Sequence, residues 1–350
     1  MEKLTVIFIS SPDHKAASSL DSGVAGYMKI YISYLLSRLW SIMKFRYGSI
    51  YIWPIAIVFC NLLVILSYYA LAISKVKMTP TYMNQKIMNC DAKRRLPSCI
   101  IIGTPKSGTK ALLEFIGVHP SVVVAEGEPK FFHREDNFQK GMNYYLEKMP
   151  LSCPDQITIE KSPEYFYSDK APVRIKKMNK TIKLILIVKN PVDRSISEYI
   201  HRRYYHNIKE AKHTFEELVY DDKTDKLKTS YYPIMRSLYS RYVIRWLQHF
   251  PLNQIHVADG SKLIVDPSEE VLKVQDFLGL KRVISKDNFI YNNTRGFYCL
   301  LIDSESKCLP PNKGHRNVST SKVIAKQMAK YFKPYNDMFF QLINKTLSWT

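Results

Sequence analysis

Two lysines and three small residues share the stretch Gly103-Thr104-Pro105-Lys106-Ser107-Gly108-Thr109-Lys110. Small residues let backbone N–H groups converge on an anion, and Lys106 and Lys110 add full charges, so the chemistry is that of a phosphate cradle. Apolar Ile100-Ile101-Ile102 precedes the stretch, and Ala111, Leu112, Leu113 and Phe115 follow at helical spacing. The order is therefore strand, loop, helix. A Walker A loop also has four residues between its glycines, but it then requires Lys followed by Ser or Thr. Here Gly108 is followed by Thr109 and only then Lys110.

Three more polar clusters follow short apolar runs. Glu126, Glu128 and Lys130 follow Val122–Val124; Glu160, Lys161, Ser162 and Pro163 follow Ile157–Ile159; Lys189, Asp193, Arg194, Ser195 and Ser197 follow Ile185–Val188. These strand ends offer a carboxylate, a lysine and a second loop rich in cations and hydroxyls. With the first loop these make four polar clusters at successive strand ends, which marks a candidate site.

The elements that must position these groups alternate. Strands are predicted at Cys99–Gly103, Gln156–Ile159, Lys183–Val188 and Gln254–Ala258, and helices at Thr109–Val118, Asp193–Tyr205, Leu238–Phe250, Ser268–Leu278 and Ser321–Ile343. Such interleaving predicts an α/β fold, a P-loop-like parallel sheet flanked by helices. Ligands of these sheets gather at the carboxyl ends of the strands.

Before this domain, Ile50 to Ile73 is apolar almost throughout and carries no charge, long enough for one transmembrane helix. The competing reading is a buried helix of a soluble core. The pattern divides the chain into a cytoplasmic tail (1–48), a signal-anchor (49–74), a polar stem (75–95) with the basic run Lys93-Arg94-Arg95, and a lumenal domain (96–350). Lysines and arginines on either side of the span are too evenly split to orient it. Orientation rests instead on the sequons at Asn179, Asn292, Asn317 and Asn344 and on Cys299 and Cys308, whose spacing suits a disulfide.

The formal net charge is +20. Residues 1–95 hold 12 lysines and arginines against 4 acids, leaving 39 against 27 beyond them, so the domain is basic in its own right. That predicts a polyanionic partner. No zinc-finger spacing, RNA-binding aromatic signature or long basic helix is present, which argues against nucleic acid. No His-x-x-x-His pair occurs, and the cysteines outside the span form no Cys-x-x-Cys pair, so no metal site is expected.

The first loop resembles the 5′-phosphosulfate loop of sulfotransferases, and the order of the later segments is similar to the heparan sulfate glucosamine 3-O-sulfotransferases from about Leu96 onward. The resemblance runs through Ala111-Leu112-Leu113-Glu114-Phe115, His119-Pro120, Glu128 with Phe131-Phe132, and Glu160-Lys161-Ser162-Pro163. It continues through Pro191 with Arg194 and Ser197, Asp259-Gly260, Asp266-Pro267, Gly296-Phe297-Tyr298-Cys299, Cys308-Leu309 and Lys313-Gly314.

That resemblance implies 3′-phosphoadenosine 5′-phosphosulfate (PAPS) as sulfate donor, a heparan sulfate chain as acceptor and a type II Golgi membrane protein. It implies Glu128 as the base on the glucosamine 3-hydroxyl, with Lys106 on the leaving oxygen and Lys161 assisting. Ser107, Gly108, Thr109 and Lys110 would complete the 5′ cradle. Lys189 and Ser197 would hold the 3′-phosphate, and Tyr298 with Lys313, Gly314, His315 and Arg316 would close over the nucleotide. Lys130, Lys161, Ser162, Pro163, Arg202 and Arg236 are the acceptor candidates, and Glu126 and Glu160 are the other carboxylates to weigh as base. The chain departs from the family pattern in the cradle, where Pro105-Lys106-Ser107-Gly108-Thr109-Lys110 stands for Arg-Lys-Gly-Gly-Thr-Arg, at Lys130 in place of a histidine, and at Lys189 in place of an arginine. Lysine keeps charge but loses the planar fork that grips phosphate at two points. Two other functions fit the same residues: another membrane-anchored glycan or protein sulfotransferase, and a non-catalytic heparan-binding membrane protein.

Overall fold

The run Cys99–Gly103 is apolar without interruption because both faces of a central parallel strand are covered. In the computed structural model, which describes residues 90–205, 211–310 and 320–349, all five residues of this strand, β1, are buried. Four parallel strands join it: β2 (Val122–Val124), β3 (Ile157–Lys161), β4 (Lys183–Val188) and β5 (Ile255–Asp259). Their order is β2-β3-β1-β4-β5. Ile101 lies opposite Lys161 on one side and Ile185 on the other, and Val188 lies opposite Asp259. The carboxyl ends of all five strands therefore face one edge.

Helices cover the sheet: α1 (Thr109–Ile116), α2 (Ala171–Met178), α3 (Pro191–Tyr205), α4 (Tyr232–Arg236), α5 (Tyr239–Leu247), α6 (Pro267–Leu278) and α7 (Lys322–Ile343). The architecture is the expected one, and its boundaries differ locally. Helix α1 ends at Ile116 rather than Val118, because Gly117 closes it and the His119 N–H turns back to the Ile116 carbonyl. Helix α5 ends three residues early, its last turn tightening ahead of Pro251. Strand β3 runs on to Lys161, held in register by Ile101. Helix α6 starts and stops on local signals: Asp266 accepts the Ser268 N–H at 3.1 Å, Pro267 takes the first helical position, and Gly279 ends it at φ +76°.

The main core gathers Ile100, Leu184, Leu186, Trp246 and Phe250 around the sheet, with Phe339 and Phe340 from α7. A second cluster lies between α3, α4 and the first half of α7, where Ile324, Met328 and Phe332 are buried. One long helix thus fastens both clusters.

A three-stranded antiparallel sheet follows α6, formed by β6 (Phe289–Asn292), β7 (Phe297–Ile302) and β8 (Glu305–Lys307). Phe289 packs edge-on against Phe115 of α1 at 5.1 Å, which seats this sheet beside the cradle helix. Cys299 and Cys308 are disulfide-bonded, as their spacing suggested. A second disulfide, Cys90–Cys153, was not foreseen, because its partners lie 63 residues apart. It staples the segment in which Lys93–Arg94 pairs with Leu151–Ser152. Among the described residues, no helix is long and apolar enough to cross a membrane. The expected tail and signal-anchor, most of the stem and residues 313–316 lie outside the described residues.

Candidate active site

The cradle is built from the turn after β1. Thr104 donates its N–H to the Ile187 carbonyl at 2.7 Å, and its hydroxyl meets that of Ser107 at 2.6 Å. This turns Ser107 inward, where it is 2% exposed. Lys106 (φ +73°) and Gly108 (φ +106°) adopt left-handed backbone, and α1 begins immediately after. No side chain caps α1 and its first turn holds no acid, so its positive end is left for an anion. A Cβ at Gly260, just beyond β5, would meet the Ser107 carbonyl oxygen at 2.2 Å, so glycine is required for two backbones to close the loop from behind. Asp259 locks that approach by accepting the Ser261 N–H at 2.8 Å and the Ser348 hydroxyl at 2.6 Å.

Glu128 stands on the loop leaving β2, between Gly127 (φ +70°) and Lys130 (φ +51°). Its Oε1 lies 2.5 Å from Nζ of Lys161, and its Oε2 lies 3.7 Å from Nζ of Lys130. Lys161 ends β3, next to the strand that feeds the cradle. A carboxylate, partly open to solvent and held between two cations, thus sits at a strand end adjacent to an anion site.

The third loop follows β4. Burial pushes the Lys189 ammonium down, with Asp193 opposing and Arg194 adding to the shift. An incoming phosphate would offset that cost. Behind it, Arg194 is fully buried, donating to the Ser237 hydroxyl at 2.8 Å and the Pro233 carbonyl at 2.7 Å, with the Pro105 carbonyl of the cradle at 3.4 Å. Glu198 receives Arg194 at 2.7 Å and Arg236 at 2.8 Å, and Arg236 also reaches Glu164 at 2.6 Å. Burial alone would raise the Glu198 carboxyl, but the two guanidiniums hold it below the usual carboxylate range.

Residues 96–348 match the sulfotransferase domain. Heparan sulfate glucosamine 3-O-sulfotransferase 5 of Mus musculus and of Homo sapiens are each 42% identical over 269 residues, covering 74% of this chain and 75% of the relative. This chain belongs to the heparan sulfate glucosamine 3-O-sulfotransferase family. Human heparan sulfate glucosamine 3-O-sulfotransferase 3A1 is 38% identical over 263 residues, spanning 74% of the chain and 64% of that relative. Among solved structures, a sulfotransferase from Alicyclobacillus acidocaldarius superposes with a TM-score of 0.54 at 19% identity, covering 73% of this chain and 98% of that one, which shows the shared fold.

Within this sulfotransferase, the topology brings Lys106, Ser107, Gly108, Thr109, Glu128, Lys130, Lys161 and Lys189 to one edge of the sheet. Lys110 lies along α1 in an ion pair with Glu114 at 2.5 Å. Ser197 is half-buried on α3, two turns past Lys189, and Arg202 stacks over Tyr232 at 5.1 Å farther along the same helix. Tyr298 is on β7, against Tyr291 at 5.2 Å. Lys313, Gly314, His315 and Arg316 lie outside the described residues. Three acceptor candidates face inward: Ser162 is 0% exposed, Pro163 is buried, and Arg236 is committed to Glu198 and Glu164. Of the other carboxylates, Glu126 is exposed and Glu160 is enclosed. Sequence reading named Arg194 and Gly260 only within matched segments, with no individual role, and passed over Glu198, since buried charge pairing has no local signature.

Proposed function

We propose that this sulfotransferase moves a sulfuryl group from PAPS to the 3-hydroxyl of a glucosamine residue in heparan sulfate. The observation that carries the reading is the Glu128–Lys161 contact, 2.5 Å long, on the strand next to the one feeding the anion cradle. When bound, PAPS supplies the sulfuryl group and departs as the 3′,5′-bisphosphate.

Glu128 takes the proton from the acceptor hydroxyl as its oxygen bonds to sulfur and the bond from sulfur to the phosphate oxygen breaks in line. Charge then grows on that phosphate oxygen. Lys106, Ser107, the backbone N–H groups of Gly108 and Thr109, and the N-terminus of α1 stabilise it. Lys110 adds charge at the rim. Lys189 and Ser197 hold the 3′-phosphate, and Tyr298 with residues 313–316 closes over the nucleotide. Lys161 orients Glu128, and Lys130 and Arg202 meet acceptor sulfates and carboxylates. The net charge of +20 supports a polyanionic acceptor. No metal takes part in this scheme. Two disulfides and the sequons support a lumenal domain, and the uncharged span from Ile50 to Ile73 supports a type II anchor in the Golgi membrane.

The test is incubation of the full chain with radiolabelled PAPS and heparan sulfate, followed by disaccharide analysis. Label on 3-O-sulfated glucosamine is expected. Label at another position, on another acceptor only, or on none would overturn the reading.

A further inference from the structure

The proposed chemistry uses Lys161 and leaves its neighbour Glu160 without a task. Strand alternation turns the two side chains to opposite faces of β3. Glu160 points into the core and is 0% exposed. Its Oε1 accepts the Tyr145 hydroxyl at 3.0 Å, and its Oε2 accepts the Ser162 hydroxyl at 3.1 Å. Ser162 Oγ in turn accepts the backbone N–H of Lys130 at 3.0 Å, and one residue on, the Phe131 N–H donates to the Tyr165 hydroxyl at 3.0 Å. Two consecutive N–H groups just past Glu128 are therefore held by hydroxyls of one buried polar network. Tyr145 and Tyr165 are themselves wedged against Phe132, at 4.9 Å and 5.6 Å between ring centres.

Lys130 needs this support, since a lysine at φ +51° adopts the left-handed conformation only under constraint. Its backbone sets the exit of the loop that carries Glu128. We propose that Glu160 is a positioning residue: through Ser162 it fixes the backbone at Lys130 and so holds the Glu128 carboxylate against Lys161. The role rests on Glu128 acting as the base.

The network also titrates. Burial raises the Glu160 carboxyl to about 7, opposed by hydrogen bonds from Tyr145, Ser162 and Tyr165 and by the charge of Lys161. The Cys99 thiol on β1 is the other titratable group facing it, and burial keeps that thiol protonated. Ionised, Glu160 accepts from both hydroxyls. Protonated, it carries a hydrogen on one oxygen, so the hydroxyl facing that oxygen, Tyr145 or Ser162, must accept instead of donate and the network rearranges. Turnover should therefore carry a limb near pH 7 that belongs to Glu160.

Full-length Ser162→Ala, Ser162→Thr and Glu160→Gln are assayed with labelled PAPS and heparan sulfate from about pH 5.5 to about pH 8.5, the range that brackets such a group. Binding of the bisphosphate product is measured in parallel. Ser162→Ala should lower kcat roughly tenfold with product binding unchanged, and Ser162→Thr, which keeps the hydroxyl, should recover most of it. Glu160→Gln, close in size and permanently neutral, should lose the limb near pH 7. Wild-type kcat in Ser162→Ala, or the same limb in Glu160→Gln, would overturn the role. Glu128→Gln separates the two readings: if it abolishes turnover while Ser162→Ala does not lower it, only the positioning role fails, and if it keeps turnover the base assignment fails first.

Discussion

Glu128 and Lys161, 33 residues apart in sequence, meet at 2.5 Å with the lysine side chain 7% exposed and the carboxylate 30% exposed. The lysine is thus fixed by its surroundings while the carboxylate keeps an open side for an acceptor. Glu128→Gln retains size and hydrogen bonding but cannot take a proton. Turnover should fall by about two to four orders of magnitude while affinity for the bisphosphate product stays within about twofold. Lys106→Ala should weaken both, because that lysine serves the bound and the transition state alike. Steady-state kinetics and calorimetry on the two variants check the contrast.

Gly260→Ala tests the cradle without altering charge. The added Cβ would fall 2.2 Å from the Ser107 carbonyl oxygen and 3.0 Å from that of Val188, both backbone atoms that cannot swing aside. The Ser107 turn must shift, so product affinity should drop at least about tenfold and the melting temperature should fall with it. Thermal shift with and without nucleotide reads both effects.

Arg236→Ala should destabilise the fold by about 3 to 5 kcal/mol, the usual cost of removing one partner from a buried ion pair. It strips Glu198 of one of its two guanidiniums and leaves Glu164 without its contact at 2.6 Å. Arg236→Lys should recover only part of the loss, since one ammonium cannot span both carboxylates as the planar fork does. Denaturant unfolding of the three proteins gives the comparison.

His256 on β5 should make the protein acid-sensitive. Burial, with Lys345 and Lys273 nearby, lowers its imidazole to about 3. Its Nε2 is buried without a hydrogen-bond partner among the described residues. Below the ordinary imidazole value the unfolded chain binds a proton that the folded chain refuses, so stability falls as pH drops from about 6.5 towards about 3, by up to about 1.4 kcal/mol per unit. Glu160 works with the opposite sign, its raised carboxyl favouring the folded state below about 7. The difference between wild type and His256→Gln is therefore the quantity to follow, and a difference that stays flat below about pH 6.5 would contradict the assignment.

The sequence alone determined the strands of the parallel sheet, though not the antiparallel sheet of β6 to β8, and it determined the glycine turn after β1 and the ends from which Glu128, Lys161 and Lys189 project. Those features are local: an unbroken apolar run, a glycine turn and polar residues just past a strand leave marks within ten residues of one another. The Cys299–Cys308 bond was legible for the same reason, at nine residues apart, whereas Cys90–Cys153 was not. Only the tertiary structure decided which side of β3 faces the site. Lys161 and Glu160 are adjacent polar residues in the chain, and the register against Ile101 and Ile100 sends one to Glu128 and the other to Tyr145 and Ser162. It likewise placed Arg236 inside the molecule, where Glu198 and Glu164 compensate its charge, although its basic character alone suggested a ligand surface. Charge type is written in the sequence, but the partner that neutralises it, and hence whether it can meet a substrate, is set by contacts between segments far apart in the chain.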